Sequence, residues 1–121
     1  YVPASDEMPV NLKYIPEFTA ILDEVNIGYR IGKTWTTDAI YRETKAKMEK
    51  RKEMGCICVE MECSAMSAVA QFREKELFQF LYAADNLDGE KWDRRSLSDE
   101  VKFEEKDMFA QLALELATSI S

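Results

Sequence analysis

The sequence predicts an α/β fold: a mixed, largely parallel sheet flanked by helices on both faces. Three observations point there. Short apolar runs alternate with segments of helical period, the signature of strands joined by crossover helices. Polar residues gather where the apolar runs end. The last run, Leu77 to about Ala84 in "LFQFLYAAD", is apolar on both faces, which suits a central strand. A chain of 121 residues accommodates one domain with a modest core.

The elements follow in order. Tyr1 to Val10 is irregular, because Pro3 and Pro9 discourage helix. Leu12, Ile15, Phe18, Ala20, Ile21, Leu22 and Val25 recur at three- and four-residue steps. They mark a helix with Asn11 as its N-cap, or a later start near Ile15 if Pro16 occupies the first turn. Asn26 and Gly28 end it. Tyr29 to Trp35 reads as a strand, and Thr36, Thr37, Asp38 and Tyr41 as a polar loop. A charged helix runs from about Thr44 to Met54 and stops at Gly55. Strand Cys56 to Val59 comes next, then an Ala-rich helix from about Met61 to Arg73, a turn at Glu74 to Glu76, and the strand from Leu77. After a polar loop, a long helix begins between Ser98 and Glu104. Phe109, Leu112, Ala113, Leu116, Ala117 and Ile120 form its buried stripe. The chain opens on Tyr1, not Met, which reads as a fragment or a processed chain.

Composition excludes several classes. The net charge of -7 argues against a nucleic-acid binder, which needs cations to neutralise phosphates. The basic cluster Lys45, Lys47, Lys50, Arg51 and Lys52 is interleaved with Glu43, Glu49 and Glu53 and reads as a solvated helix face. The three cysteines, Cys56, Cys58 and Cys63, lack the pairing of a disulfide framework. With no histidine and no paired knuckle spacing, they do not make a zinc site either. Small buried hydrophobes in a reducing compartment, the cytoplasm, are expected. No run is long enough to span a membrane, and no signal-peptide pattern occurs.

In open α/β sheets, ligands gather at the carboxyl ends of the strands. Here those ends carry Thr34-Trp35-Thr36, Glu60-Met61-Glu62 and Asp85. From the residues alone, two readings stay open for each. Glu60 and Glu62 are either site carboxylates or surface acids favoured by the dipole of the following helix. Asp85 is either a site acid or a turn residue before Asn86, and Trp35 either a ligand platform or core.

The segments "TWTTDAIYRET", "GCICVEMECSAM" and "LYAADNLDGEKWD" together resemble the nucleoside phosphorylase family, which includes purine nucleoside phosphorylases and uridine phosphorylases. The V-E-M-E run, Val59 to Glu62, is the most specific element. The resemblance covers nearly the whole chain and implies the carboxyl-terminal half of a typical member, residues 1–121 forming one incomplete half-domain. It implies reversible cleavage of an N-glycosidic bond by phosphate as co-substrate, with no metal or organic cofactor, in a homo-oligomer. Met61 and Glu62 then contact the ribose, Glu60 lines the same site, and Trp35 lies against the base. Val59 and Ala84 lie near the base edge, and Asp85 assists the leaving base, which favours a purine. Ala84 stands where the family often has Ser; the family also has an arginine beyond that Asp which supports it, for which Arg94 and Arg95 are the candidates and between which the loop spacing does not decide. The family's phosphate-binding glycine loop and arginines belong to the amino-terminal half, so this chain by itself is expected to be inactive. The rival readings are a nucleosidase of the same superfamily, using water, and a non-catalytic truncated or assembly chain.

Overall fold

A computed structural model describes residues 3–83 and 103–121. Among the described residues the elements run α1 (Ile15–Glu24), β1 (Lys33–Thr36), a 3-10 turn (Ile40–Arg42), α2 (Lys45–Glu53), β2 (Cys56–Glu60), α3 (Cys63–Phe72) and α4 (Phe103–Ser119). The fold is α/β, as expected. β1 and β2 pair in parallel, and parallel neighbours require a crossover between them, which α2 supplies. Among the described residues no helix is long and apolar enough to cross a membrane.

The chain divides into two compact units. The first holds residues 1–14 and 28–79, and with them the sheet, α2 and α3. Its register sets Thr34 opposite Cys58, Trp35 opposite Val59 and Thr36 opposite Glu60, with an irregularity between Lys33 and Thr34. Tyr14, Trp35, Thr37, Ala39, Cys63 and Ser67 are buried there. Tyr14 donates its hydroxyl to Glu76, which also accepts from Lys13 Nζ at 2.9 Å. Both bonds hold the Glu76 carboxyl below the usual carboxylate range, that from Tyr14 most strongly.

The second unit holds residues 15–27 and 80–121. Here α1 packs on α4, and Phe18, Ile21, Leu22, Leu112 and Leu116 form the buried seam. The Phe18 and Phe80 rings lie 4.6 Å apart, and Tyr82 stacks on Phe109 at 4.7 Å. The buried stripe of α4 is narrower than its sequence implies. Leu112 and Leu116 are buried and Phe109 half-buried, whereas Ala113, Ala117 and Ile120 are exposed. A single facing helix covers only a narrow seam.

Local chemistry explains the helix ends. Asn11 does not cap α1; its side chain accepts from the Lys13 N–H at 2.9 Å in a turn, and Pro16 takes its place in the first helical turn. α1 closes through Asn26, at φ 56°. The Ile27 N–H reaches back to Leu22 O at 2.9 Å and the Asn26 N–H to Asp23 O at 3.2 Å, the paired bonds of a left-handed helix stop. Thr44 caps α2 by accepting from the Lys47 N–H, and Gly55, at φ 89°, ends it. Glu74, at φ 52°, ends α3 with the same paired bonds, from Lys75 N–H to Ala70 O and from Glu74 N–H to Gln71 O.

Two strand expectations need correction. The first strand covers Lys33–Thr36 and not Tyr29 to Trp35, because the partner strand begins at Cys56, opposite Lys33. The apolar run from Leu77 forms no strand over its described residues 77–83, since among the described residues the sheet contains only β1 and β2. An extended segment counts as a strand only when a neighbour takes its ladder bonds.

Candidate functional site

Parallel register brings the strand ends together. Trp35 and Val59 are partners, as are Thr36 and Glu60, so both expected site segments meet at one edge of the sheet. Side chains alternate along a strand, which sorts these residues onto opposite faces. Thr34, Thr36 and Glu60 share one face; Trp35 and Val59 share the other. Each face meets a different helix. Arg51 of α2 lies over the Trp35 ring, 5.9 Å from its centroid. The Ser64 N–H of α3 donates to Thr36 Oγ1 at 3.2 Å.

Glu60 is the hub of its face. Its Oε1 accepts from the Thr36 hydroxyl and, at 3.4 Å, from the Thr34 hydroxyl. Its Oε2 accepts from the Glu62 N–H at 2.7 Å and the Cys63 N–H at 2.5 Å. A helix start leaves backbone N–H groups without intrahelical partners. Here the Glu60 carboxylate and the Thr36 hydroxyl take the N–H groups of Glu62, Cys63 and Ser64. Threonines at alternate positions of one strand become a ladder of donors only once the parallel register sets them beside a strand that ends in an acid.

Met61 and Glu62 fill the gap between β2 and α3. Met61 is 43% exposed. Glu62 is exposed, occupies the N-cap position at φ -125°, and makes no side-chain capping bond. Its carboxylate therefore stands at a helix N-terminus where the N–H groups of Glu62, Cys63 and Ser64 already have acceptors. Cys63, the next residue, is buried, and its thiol is held above the usual cysteine range, first by burial and then by the charge of Glu60.

The face under Trp35 opens into a groove of about 240 Å³, lined by Trp35, Thr36, Thr37, Asp38, Lys47, Lys50 and Arg51. Trp35 is only 8% exposed, so little of its surface is open to the groove. The helical period selects Lys47, Lys50 and Arg51 onto one face of α2, away from Glu49 and Glu53. This sorting is hidden in the mixed charge run of the sequence. Just before α2, Tyr41 is 80% exposed and is the most open aromatic among the described residues of the first unit, in a segment whose sequence reads only as loop.

Of the expected site residues, Trp35, Val59, Glu60, Met61 and Glu62 all lie at the end of the sheet, with Trp35 and Val59 on the face opposite Glu60. Asp85, Ala84, Arg94 and Arg95 lie outside the described residues. Among the described residues no group of three or more cysteine, aspartate or glutamate side chains is arranged to hold a metal.

No solved structure matches the chain. The protein-family comparison matches the phosphorylase superfamily over residues 1–121. That match spans every segment of the site, and with it the parallel strand pair and the V-E-M-E turn at its end take their place in a known family: the chain belongs to the phosphorylase superfamily, with an activity of the nucleoside phosphorylase or hydrolase kind.

Proposed function

We propose that the chain supplies the nucleoside side of a phosphorylase site that cleaves purine nucleosides with phosphate. The observation that carries this reading is Glu62, an exposed carboxylate free of capping duty beside exposed Met61, at the carboxyl end of a parallel strand pair. A ribose presents hydroxyl donors, and a carboxylate that accepts them forms short, charge-assisted bonds that fix orientation. Met61 offers the sugar a polarisable apolar surface. Glu60 borders the same turn. Trp35 and Val59, paired across the strands, border the base end.

In the reaction the N-glycosidic bond breaks with its electron pair leaving on the base. The sugar carbon gains positive character, and a phosphate oxygen then bonds to it to give the pentose 1-phosphate. The Glu62 charge stabilises the sugar as positive character develops. The base leaves poorly as an anion, and a purine has an imidazole nitrogen that takes a proton. Asp85, placed by sequence at the end of an apolar run, is the acid that supplies or shares it. A pyrimidine lacks that nitrogen. No metal or organic cofactor enters the scheme, and the working form is a homo-oligomer.

The test is kcat/KM of the full-length protein on purine and pyrimidine nucleosides, with and without phosphate. Purines are expected to be preferred and cleavage to require phosphate. Asp85→Asn is expected to slow purine cleavage by roughly 10² to 10⁴. Preference for uridine would remove the role of Asp85, and cleavage indifferent to phosphate would make the protein a nucleosidase.

A further inference from the structure

We infer that Glu60 is a positioning residue: its carboxylate does not itself hold the sugar but locks the Met61–Glu62 turn so that Glu62 meets the sugar hydroxyls. This rests on the reading of Glu62 given above. A carboxylate has two oxygens and roughly four acceptor directions. Those of Glu60 meet the hydroxyls of Thr34 and Thr36 on one oxygen and the N–H groups of Glu62 and Cys63 on the other. Little accepting capacity is left for a ligand.

The geometry also shows what the bonds accomplish. Only Met61 and Glu62 separate the last residue of β2 from the first of α3. Glu60 ties the backbone at the far side of that gap to two side chains of β1. The Thr36 hydroxyl donates to Glu60 and accepts from the Ser64 N–H, which ties α3 to the same strand a second time. Strand, turn and helix start thus share one hydrogen-bonded hub, and the Glu62 backbone has little freedom to drift. A reacting group held this way is pre-organised, and a displacement of about 1 Å can cost about 10²-fold in rate.

A positioning role and a charge role respond differently to amide substitution. In Glu60→Gln the carbonyl oxygen can still accept from the two backbone N–H groups. The amide nitrogen can donate to threonine hydroxyls rotated to receive it. The clamp survives while the charge is lost. Glu60→Ala loses both.

The experiment measures kcat/KM for ribonucleosides and 2′-deoxyribonucleosides on the full-length protein and its variants. Glu60→Gln is expected to stay within about tenfold of the parent, the scale of weakened neutral hydrogen bonds. Glu60→Ala is expected to lose about 10²-fold and to discriminate less between ribo- and 2′-deoxyribo-substrates. Glu62→Gln is expected to lose about 10²- to 10³-fold. Adding Glu60→Ala to Glu62→Gln is expected to cost little more, because the group being positioned is already disabled. Thr36→Val, which keeps shape and removes one donor of the clamp, is expected to fall between the parent and Glu60→Ala; it carries the test if Glu60→Ala does not fold. A Glu60→Gln loss as large as that of Glu62→Gln, or fully additive losses in the double variant, would overturn the positioning role and leave the sugar reading of Glu62 intact. An unaffected Glu62→Gln would overturn both.

Discussion

Glu60 and Glu62 are two residues apart and chemically identical, yet the fold gives them different work. Glu60 points along the strand face that carries Thr34 and Thr36, so donors surround it. Glu62 follows a turn and faces solvent. Cys63 feels the consequence. It is 7% exposed and next to a carboxylate, so both burial and charge disfavour its thiolate. Its hydrogen bond with Ser67 acts in the opposite sense but is the weaker influence. The thiolate is the reactive form, so Cys63 is expected to alkylate more slowly than exposed Cys58 at neutral pH, with half-buried Cys56 between them. Peptide mapping after timed iodoacetamide treatment checks the order. Equal rates for Cys58 and Cys63 would contradict it. The linked stability effect has a definite sign. A value raised on folding favours the folded state below the ordinary thiol range of about 8.5, and that contribution is lost as pH rises through the folded value. The effect therefore belongs to alkaline pH, and Cys63→Ser or Cys63→Ala is expected to blunt the alkaline fall in stability.

At the scale of elements, the helix stops make a controlled comparison. Each of α1, α2 and α3 ends on a residue of positive φ: Asn26, Gly55 and Glu74. Gly bears this conformation freely, Asn tolerates it, and Glu is strained by its Cβ, at roughly 1 to 2 kcal/mol in the left-handed region. Glu74→Gly is therefore expected to stabilise the protein by about 1 kcal/mol, and Gly55→Ala to destabilise it by a similar amount. A Cβ on Gly55 meets nothing within 4 Å, so the loss comes from backbone strain and not from crowding. Gly28 is a negative control, having neither positive φ nor a neighbour within 4 Å of a Cβ. Gly28→Ala is expected to be neutral or mildly stabilising. Urea midpoints at constant m-value decide all of these. If Gly28→Ala proved as harmful as Gly55→Ala, the assignment of α1's stop to Asn26 would have to be abandoned.

At the scale of the whole molecule, the notable feature is the exposed apolar surface among the described residues. On α3, Met66, Val69 and Phe72 lie at three-residue steps along one stripe and are exposed, Phe72 to 67%. In β2, Ile57 is also exposed. Apolar groups so arranged associate, because burial is worth roughly 25 cal/mol per Å². The 121-residue chain is expected to self-associate at micromolar concentration and to bind a hydrophobic dye. Val69→Lys with Phe72→Glu is expected to reduce both while preserving helix content. Sedimentation velocity and circular dichroism provide the readouts. A monodisperse monomer of the parent chain that binds no dye would refute this.

Much of this was legible in the sequence because the signals are local. Thr44 and Gly55 mark the ends of α2 through capping chemistry and left-handed tolerance, which depend only on neighbouring backbone. Period 3.6 in α1 and α4, and the V-E-M-E turn after a short apolar run, are equally local, and they carried both the α/β class and the family. Tertiary structure decided whatever depends on a partner distant in the chain. The run from Leu77 has strand composition, but its described residues find no ladder to join. Among the described residues Tyr29 to Gly32 likewise has no strand opposite, since β2 begins level with Lys33. The work of Glu60 was settled in the same way. Nothing in its immediate sequence says that Thr36, 24 residues earlier, will stand beside it. Parallel register alone brings that hydroxyl to the carboxylate, and hydrogen bonds, being short and directional, then determine which of two identical acids is held and which is left free.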